Sequence, residues 1–157
     1  MKHSEILATM RSLPDELERL VQGLSGDELG WRPSPQDWSI IEIGCHLRDD
    51  GEISTLRIQR LATEDGPTIE PYNEEELAST RNYRGDEMHR VLPAVRSAWT
   101  GLAGTLERLP PDAWQRVGHH PERGRVTIAS EALQYAEHAR QHVGQINAIL
   151  ERLPAQP

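Results

Sequence analysis

Apolar residues recur at three- and four-residue steps along four long segments of this chain, and no segment shows sustained alternation of apolar and polar residues. This periodicity is typical of amphipathic helices, each of which buries one stripe against its neighbours. The predicted helices span residues 4–24, 39–62, 86–109 and 127–152. Four helices of this length predict an all-α fold, a four-helix bundle in which residues 1–157 form a single domain.

The residues between these helices carry the signals that begin and end helices. Pro14 lies inside the first predicted helix, where it predicts a kink or a restart. Ser39, with Glu42 three residues later, predicts a capping box at the start of the second helix. Residues 63–84 are a long polar crossover between the second and third helices, with one short helix near residues 74–80. Because such a segment can cross the bundle, simple up-down-up-down order is not required.

Two further segments are predicted to lack regular structure. Residues 110–126 begin with two prolines, which end the third helix, and are interpreted as a loop. Their adjacent histidines, His119 and His120, are expected to be turn or rim residues. Residues 154–157 are expected to form a frayed tail.

The charge balance excludes several classes of partner. The formal net charge is -8 and the 17 basic residues are scattered, whereas a nucleic-acid-binding domain normally presents a basic face. We therefore expect neither nucleic acid nor a membrane as a partner, and no segment approaches the roughly 20 apolar residues of a membrane-spanning helix. The first residues lack the apolar run of a secretory signal, and the single Cys45 permits no internal disulfide. Both observations favour a cytoplasmic location.

A histidine pair in the fourth predicted helix carries the strongest chemical signal. His138 and His142 are four residues apart, which places them one helical turn apart on one face, with Cβ atoms about 6 Å apart. His46 lies on the shoulder of the apolar stripe of the second helix, as the pair does on its own stripe. Three imidazoles at about 2.0–2.1 Å from one ion would leave a coordination position open, which is typical of a catalytic site. By spacing alone, histidines that only face solvent or pack in the core remain the commoner explanation.

Asp50 is the candidate catalytic residue beside this cluster. It follows His46 by one turn and is displaced toward the buried arc of the helix, whereas Asp49 is displaced the other way. An inward carboxylate could orient a ligand, bind the metal or act as a base. The alternative is a carboxylate that is solvated or paired with an arginine. Cys45 points away from the stripe and is expected to be a small packing or surface residue.

Two stretches of the sequence match a known pattern. The first runs through Trp31-Arg32-Pro33 and Asp37-Trp38-Ser39 to Ile43-Gly44-Cys45-His46-Leu47, and the second runs through His120-Pro121-Glu122-Arg123-Gly124 and Val126-Thr127 to His138, His142 and Gln145-Ile146. With these motifs the chain resembles the DinB family, the DinB/YfiT-like metalloenzymes, over nearly its whole length. The resemblance implies a four-helix bundle with a long crossover between helices two and three. It also implies a divalent metal, zinc or nickel, on His46, His138 and His142.

The resemblance implies a small-molecule substrate and leaves three functions open. The first is an S-transferase that depends on a low-molecular-weight thiol, in which Arg81 and Arg84 of the crossover could meet an acidic group of the thiol cofactor. The second is a metal-dependent hydrolase with Asp50 as its base. The third is a non-catalytic, stress- or damage-inducible protein whose metal only ties two helices together. By analogy, the family also suggests a homodimer.

Overall fold

The computed structural model describes residues 1–155 and contains the four long helices that the periodicity predicts. In chain order the helices are α1 (His3–Val21), α2 (Gly26–Gly30), α3 (Ile40–Thr63), α4 (Glu74–Thr80), α5 (Met88–Glu107) and α6 (Ile128–Arg152). A short antiparallel hairpin, β1 (Val117–His120) and β2 (Gly124–Thr127), lies between α5 and α6. Gln156 and Pro157, the end of the predicted tail, lie outside the described residues.

The long helices close the four-helix bundle in an order that differs from their order in the chain. α1 packs against α5 and α6, and α3 packs against the same two helices. α1 and α3 therefore lie on one diagonal of the bundle, and α5 and α6 lie on the other. Residues 22–39 join α1 to α3 and residues 108–127 join α5 to α6, so these two connections span the diagonals, whereas the crossover joins the neighbouring helices α3 and α5. As a result, α3 and α6, the two helices with the predicted histidine ligands, lie side by side.

The predicted apolar stripes form the core of the bundle. Since the chain contains no phenylalanine, the space is filled by aliphatic side chains and tryptophan. Trp99 of α5 is fully buried, and its indole nitrogen donates a hydrogen bond of 2.8 Å to the carbonyl oxygen of Leu47 on α3. This bond satisfies the one polar group of a large buried ring. Within residues 1–155, no helix combines the length and the apolarity that crossing a membrane requires.

α1 continues through Pro14 without the predicted restart. The helix is unbroken from His3 to Val21, so Ser12 does not begin a new helix. Proline removes one backbone hydrogen bond from a helix interior. Pro14 is buried with Leu13 and Leu17, and this packing offsets the lost bond.

The prediction of a loop over residues 110–126 is wrong. β1 and β2 pair from Val117 opposite Thr127 to His120 opposite Gly124. Strands of four residues are too short to show a clear alternation in the sequence, which is why the pattern does not reveal them. The crossover adds to this hairpin, because the amide of Ile69 donates a 2.7 Å hydrogen bond to the carbonyl oxygen of His119.

Gly51 sets how closely α3 approaches α5. A Cβ atom at this position would lie 2.8 Å from Nε1 of Trp99 and 3.0 Å from Cβ of Ala98. We therefore expect Gly51→Ala to lower the free energy of unfolding by about 1–3 kcal/mol, because an overpacked helix contact must spread. Gly101→Ala is the matched control, since a Cβ atom there meets nothing within 4 Å. The control is expected to be stabilising by about 0.5–1 kcal/mol. Urea unfolding of both variants measures the difference, and equal stabilities would contradict the close approach.

Candidate metal centre

Three histidines from α3 and α6 meet with their Nε2 atoms facing one another. Nε2 of His138 lies 3.0 Å from Nε2 of His46 and 3.1 Å from Nε2 of His142. A cation about 2.0–2.1 Å from two imidazole nitrogens separates them by roughly 2.9–3.4 Å at octahedral to tetrahedral bond angles. The observed distances fall in that interval. The three side chains thus have the geometry that a single divalent ion requires.

The helices place these side chains by simple geometry. His138 and His142 project from successive turns of one face of α6, and the neighbouring helix α3 brings His46 to meet them. His46 is fully buried. The indole of Trp38, just before α3, covers the cluster, with its ring centre 5.2 Å from that of His46 and 6.4 Å from that of His142. Trp38 therefore shields one side of the cluster from solvent.

Burial keeps the imidazoles of His46 and His142 uncharged. It lowers the pKa of His46 to about 3, with further lowering by the two neighbouring histidines. Burial and the proximity of His138 lower the pKa of His142 to about 4. Nδ1–H of His142 donates a 3.0 Å hydrogen bond to Oε1 of Gln145, which leaves the lone pair of Nε2 directed at the cluster. One proton can bridge only one pair of these nitrogens, so the all-nitrogen donor set fits a divalent metal ion better than it fits a proton.

A carboxylate from the crossover lies over the cluster. Oε1 of Glu74, the first residue of α4, is 3.7 Å from Nε2 of His46 and 3.6 Å from Nε2 of His138. Asn73 caps α4, accepting a 3.0 Å hydrogen bond from the amide of Glu76, and this cap fixes where the helix begins. The sequence predicts the short helix near residues 74–80 but does not show that Glu74 lies over the histidines. Three consecutive glutamates begin this helix, and the spacing does not show which of them turns toward the histidines.

The structure places Asp50 on the inner side of α3, in the direction that the sequence predicts. Its Oδ1 accepts a 2.8 Å hydrogen bond from the Tyr72 hydroxyl, and its buried Oδ2 has no partner among residues 1–155. Burial raises the pKa of Asp50, while His138 and Tyr72 oppose that rise. Asp50 is therefore neither solvated nor paired with an arginine.

Asp50, Glu74 and His138 line a cavity of about 140 Å³ beside the cluster. Tyr135 of α6 also borders it. His120 lies at its rim, where Nδ1 accepts hydrogen bonds from the amides of Glu122 and Arg123. The cavity gives the cluster a polar chamber in which a small molecule can lie next to the histidines.

Asp49 is buried as well, although the sequence predicts that it points away from the core. Arg48 and Arg81 each lie 2.9 Å from its Oδ1, and the hydroxyl of Tyr83 donates to its Oδ2. Both carboxylate oxygens of Asp49 thus have partners, and these contacts hold the crossover against α3. Cys45 is fully buried in this region, and burial raises the pKa of its thiol to about 12. Cys45 is thus a packing residue.

Glu42 anchors the start of α3 and the segment before it. Arg32 donates to both of its carboxylate oxygens, at 2.9 Å and 2.5 Å, and Ser39 donates through its backbone nitrogen and its hydroxyl. The predicted capping box is therefore present. Arg84 adds a second cation at 3.2 Å. Because Arg81 and Arg84 both form ion pairs with protein carboxylates, neither is the free cation that the thiol hypothesis expected.

The fold and the cluster together define a four-helix bundle in which three histidines from two neighbouring helices face one another. The DinB superfamily model matches residues 9–146. The chain therefore belongs to the DinB superfamily.

Relatives over nearly the whole chain carry names of one class. A Bacillus mycoides (strain KBAB4) protein is 30% identical over 146 residues, which cover 92% of this chain and 83% of that protein. An Oceanobacillus iheyensis protein is 26% identical and covers 95% of this chain and 86% of its own length. Both are named provisionally as metal-dependent hydrolases.

Two solved structures share the fold. YfiT from Bacillus subtilis, described as having an unusual four-helix bundle topology, superposes with a TM-score of 0.89 at 19% identity, over 96% of this chain and 87% of its own. The mycothiol-dependent maleylpyruvate isomerase superposes with a TM-score of 0.74 at 12% identity, over 93% of this chain and 61% of its own. At these identities the likeness establishes the architecture.

The anchor at Glu42 generates a prediction about stability. Burial alone would raise the pKa of Glu42, but the hydrogen bonds from Arg32 and Ser39 outweigh burial and lower it from 4.5 to about 2. A lowered carboxyl pKa stabilises the fold above about pH 4.5, and this contribution is lost as the pH falls toward about 2. We expect Glu42→Gln to be destabilising by about 2–4 kcal/mol at pH 7, because the half-buried Arg32 loses its charged partner at a buried position.

Urea unfolding at pH 7, 4 and 3 measures this effect. The difference between the wild type and Glu42→Gln should shrink as the pH falls. Glu64→Gln is the control, since Glu64 pairs with Arg60 on the exposed surface and its loss should change stability little. A Glu42 difference that stays constant from pH 7 to pH 3 would show that the charge of Glu42 is not what holds this segment.

Proposed function

We propose that His46, His138 and His142 bind one zinc or nickel ion and that the chain is a metal-dependent hydrolase of a small molecule. The observation that carries the proposal is the convergence of three imidazoles beneath the carboxylate of Glu74. The names of the relatives from Bacillus mycoides and Oceanobacillus iheyensis support the same class. A divalent cation on such a site supplies a Lewis acid that polarises a substrate carbonyl and makes water a better nucleophile near neutral pH.

The residues around the histidines supply the proton transfers that hydrolysis needs. Glu74 lies within 3.7 Å of two ligand nitrogens and is half-buried, so it can orient a water molecule and accept its proton at Oε1. Asp50, whose Oδ2 is unpartnered and whose pKa burial raises, can hold a proton and pass it to the leaving group. Tyr72 fixes the rotamer of Asp50 through its 2.8 Å hydrogen bond. Glu74 is thus assigned the role of the general base. Asp50, which the sequence suggests as the base, is assigned the role of the general acid.

The cavity favours hydrolysis over transfer of a low-molecular-weight thiol. Its volume of about 140 Å³ is below the roughly 300–1,000 Å³ of sites that enclose a whole cofactor-sized ligand. Cys45 cannot supply the thiol itself, because it is fully buried. A small substrate and a water molecule are the better match to this space.

The hydrogen bond from His142 to Gln145 generates a prediction about metal affinity. We expect Gln145→Leu to weaken zinc binding by roughly 10- to 100-fold, since it frees the imidazole that this bond orients. Gln145→Glu keeps an acceptor at the same position and should bind zinc as tightly as the wild type. Gln141→Leu, at an exposed position of α6, is the matched control. Competition with a chromophoric chelator measures all four proteins. Equal zinc affinity of Gln145→Leu and Gln141→Leu would show that Gln145 does not orient His142 for metal binding.

The role of Glu74 as the general base is tested by measuring hydrolysis of small chromogenic esters and amides by zinc-loaded protein, without added thiol. Glu74→Gln is expected to lower kcat by roughly 100-fold or more, in line with the loss of a positioned base, while zinc binding stays within a few-fold of the wild type. Glu75→Gln, which changes the next and exposed glutamate, should retain the activity. Turnover that appears only with a thiol would select the transferase. Stoichiometric zinc with no turnover in either assay would select a non-catalytic metal-binding protein.

A further inference from the structure

Arg57 of α3 is a cation in the wall of the cavity that forms no ion pair within 4 Å of a carboxylate among residues 1–155, although the Asp50 carboxyl of the same wall interacts with it at longer range. The other arginine of this wall, Arg123, is held by both carboxylate oxygens of Glu131, at 2.5 Å and 3.0 Å. This is the one ion pair that the two arginines make within residues 1–155. Arg57 instead donates a hydrogen bond of 2.5 Å to the carbonyl oxygen of Glu70 and lies beside the hydroxyl of Tyr135. Most of its five N–H donors therefore remain available to a ligand.

The surroundings of Arg57 hold its guanidinium in place. Its central carbon lies 5.5 Å from the centre of the Tyr72 ring, a cation–π arrangement. The hydroxyl of that same tyrosine donates to Asp50. The side chain is thus fixed at one end by the backbone of Glu70 and on its face by an aromatic ring. A preoriented guanidinium loses little freedom when it binds a planar anion.

Asp50 supplies a second, independent observation at the same cavity. This carboxyl group is buried, and its Oδ2 has no hydrogen-bond partner among residues 1–155. Buried polar atoms are rarely left without a partner, so this atom points to a ligand group or an ordered water in the cavity. The cavity therefore presents a free cation and a free hydrogen-bonding oxygen, with His138 and Glu74 in the same wall.

We propose that Arg57 forms a subsite for a carboxylate, and that the molecule that the histidine cluster acts on is a small carboxylic acid. The assignment of this acid as the substrate of the histidine cluster rests on the proposed function, whereas the carboxylate subsite itself does not. A planar guanidinium with free N–H groups pairs with a carboxylate through two parallel hydrogen bonds. The cavity of about 140 Å³ limits the substrate to a few atoms between its carboxylate and the bond that is cleaved. Asp50 then meets a polar group of that short spacer.

The subsite is tested with acetate as the probe and acetamide as its neutral counterpart, on ¹⁵N-labelled full-length protein with and without zinc. In wild-type protein, acetate is expected to shift the Arg57 Nε–H signal and the backbone amides of Tyr72 and Tyr135 in a saturable manner. Acetamide should not do so. Arg57→Gln should weaken acetate binding by roughly tenfold or more, the loss expected for one charge-assisted hydrogen-bonded pair. Arg140→Gln, which removes an exposed arginine outside the cavity wall, should bind acetate like the wild type.

The measurements with and without zinc distinguish the proposed carboxylate subsite from the proposed metal site. Acetate shifts that persist without zinc support the subsite even if zinc fails to bind, and the failure of zinc binding overturns only the proposed function. Equal affinity in Arg57→Gln and the wild type overturns the subsite, as does an equal response to acetamide. Inorganic phosphate that binds more tightly than acetate through Arg57 overturns the assignment of a carboxylate.

Discussion

The convergence of three imidazoles at the contact between α3 and α6, with His46 fully buried, is the constraint on which the rest of the structure depends. Two elements of the fold make it possible. The connections before α3 and before α6 span the diagonals of the bundle and so place α3 beside α6, and Trp38 covers the rings on one side. Nδ1 of His46 remains buried without a partner among residues 1–155. The cation proposed above would lie at the opposite side of the ring, where the separations of the three Nε2 atoms fit one ion.

The buried acids divide into those that hold the scaffold and one that does not. Glu42, Asp49 and Glu131 each carry at least one arginine at hydrogen-bonding distance. They fix the start of α3, the crossover and the hairpin around the histidine cluster. Asp50 has a tyrosine instead of an arginine, and one of its oxygens stays free. The same division holds for the arginines of the cavity, where Arg123 forms an ion pair with Glu131 and Arg57 forms none within residues 1–155. The uncommitted groups all face one small space beside the histidines.

The local patterns in the sequence predict most of the bundle and the centre of the site. Apolar periodicity gives the four long helices, and the capping box at Ser39 marks where α3 begins. The four-residue spacing of His138 and His142 places both on one face of α6, and the family resemblance adds His46. These features succeed because helical geometry fixes the relation between residues that are near in the chain.

The features that the sequence does not reveal all depend on where the crossover and the hairpin settle. Glu74 reaches the histidines because α4 lies over them, and no spacing along the chain relates residue 74 to residue 138. Arg57 lies on the predicted second helix, but its lack of a carboxylate partner is visible only once every neighbouring acid has been placed. The hairpin escapes detection because its strands are short and because a backbone bond from Ile69 of the crossover supports it. Tertiary contacts, rather than local propensity, decide these positions.

Anomalous diffraction from crystals grown with zinc tests the central claim most directly. The account predicts one strong peak at full occupancy, about 2.0–2.1 Å from the Nε2 atoms of His46, His138 and His142, on the side of the cluster that Glu74 faces. A crystal with no peak at this position, or with zinc held only by other residues, would contradict it.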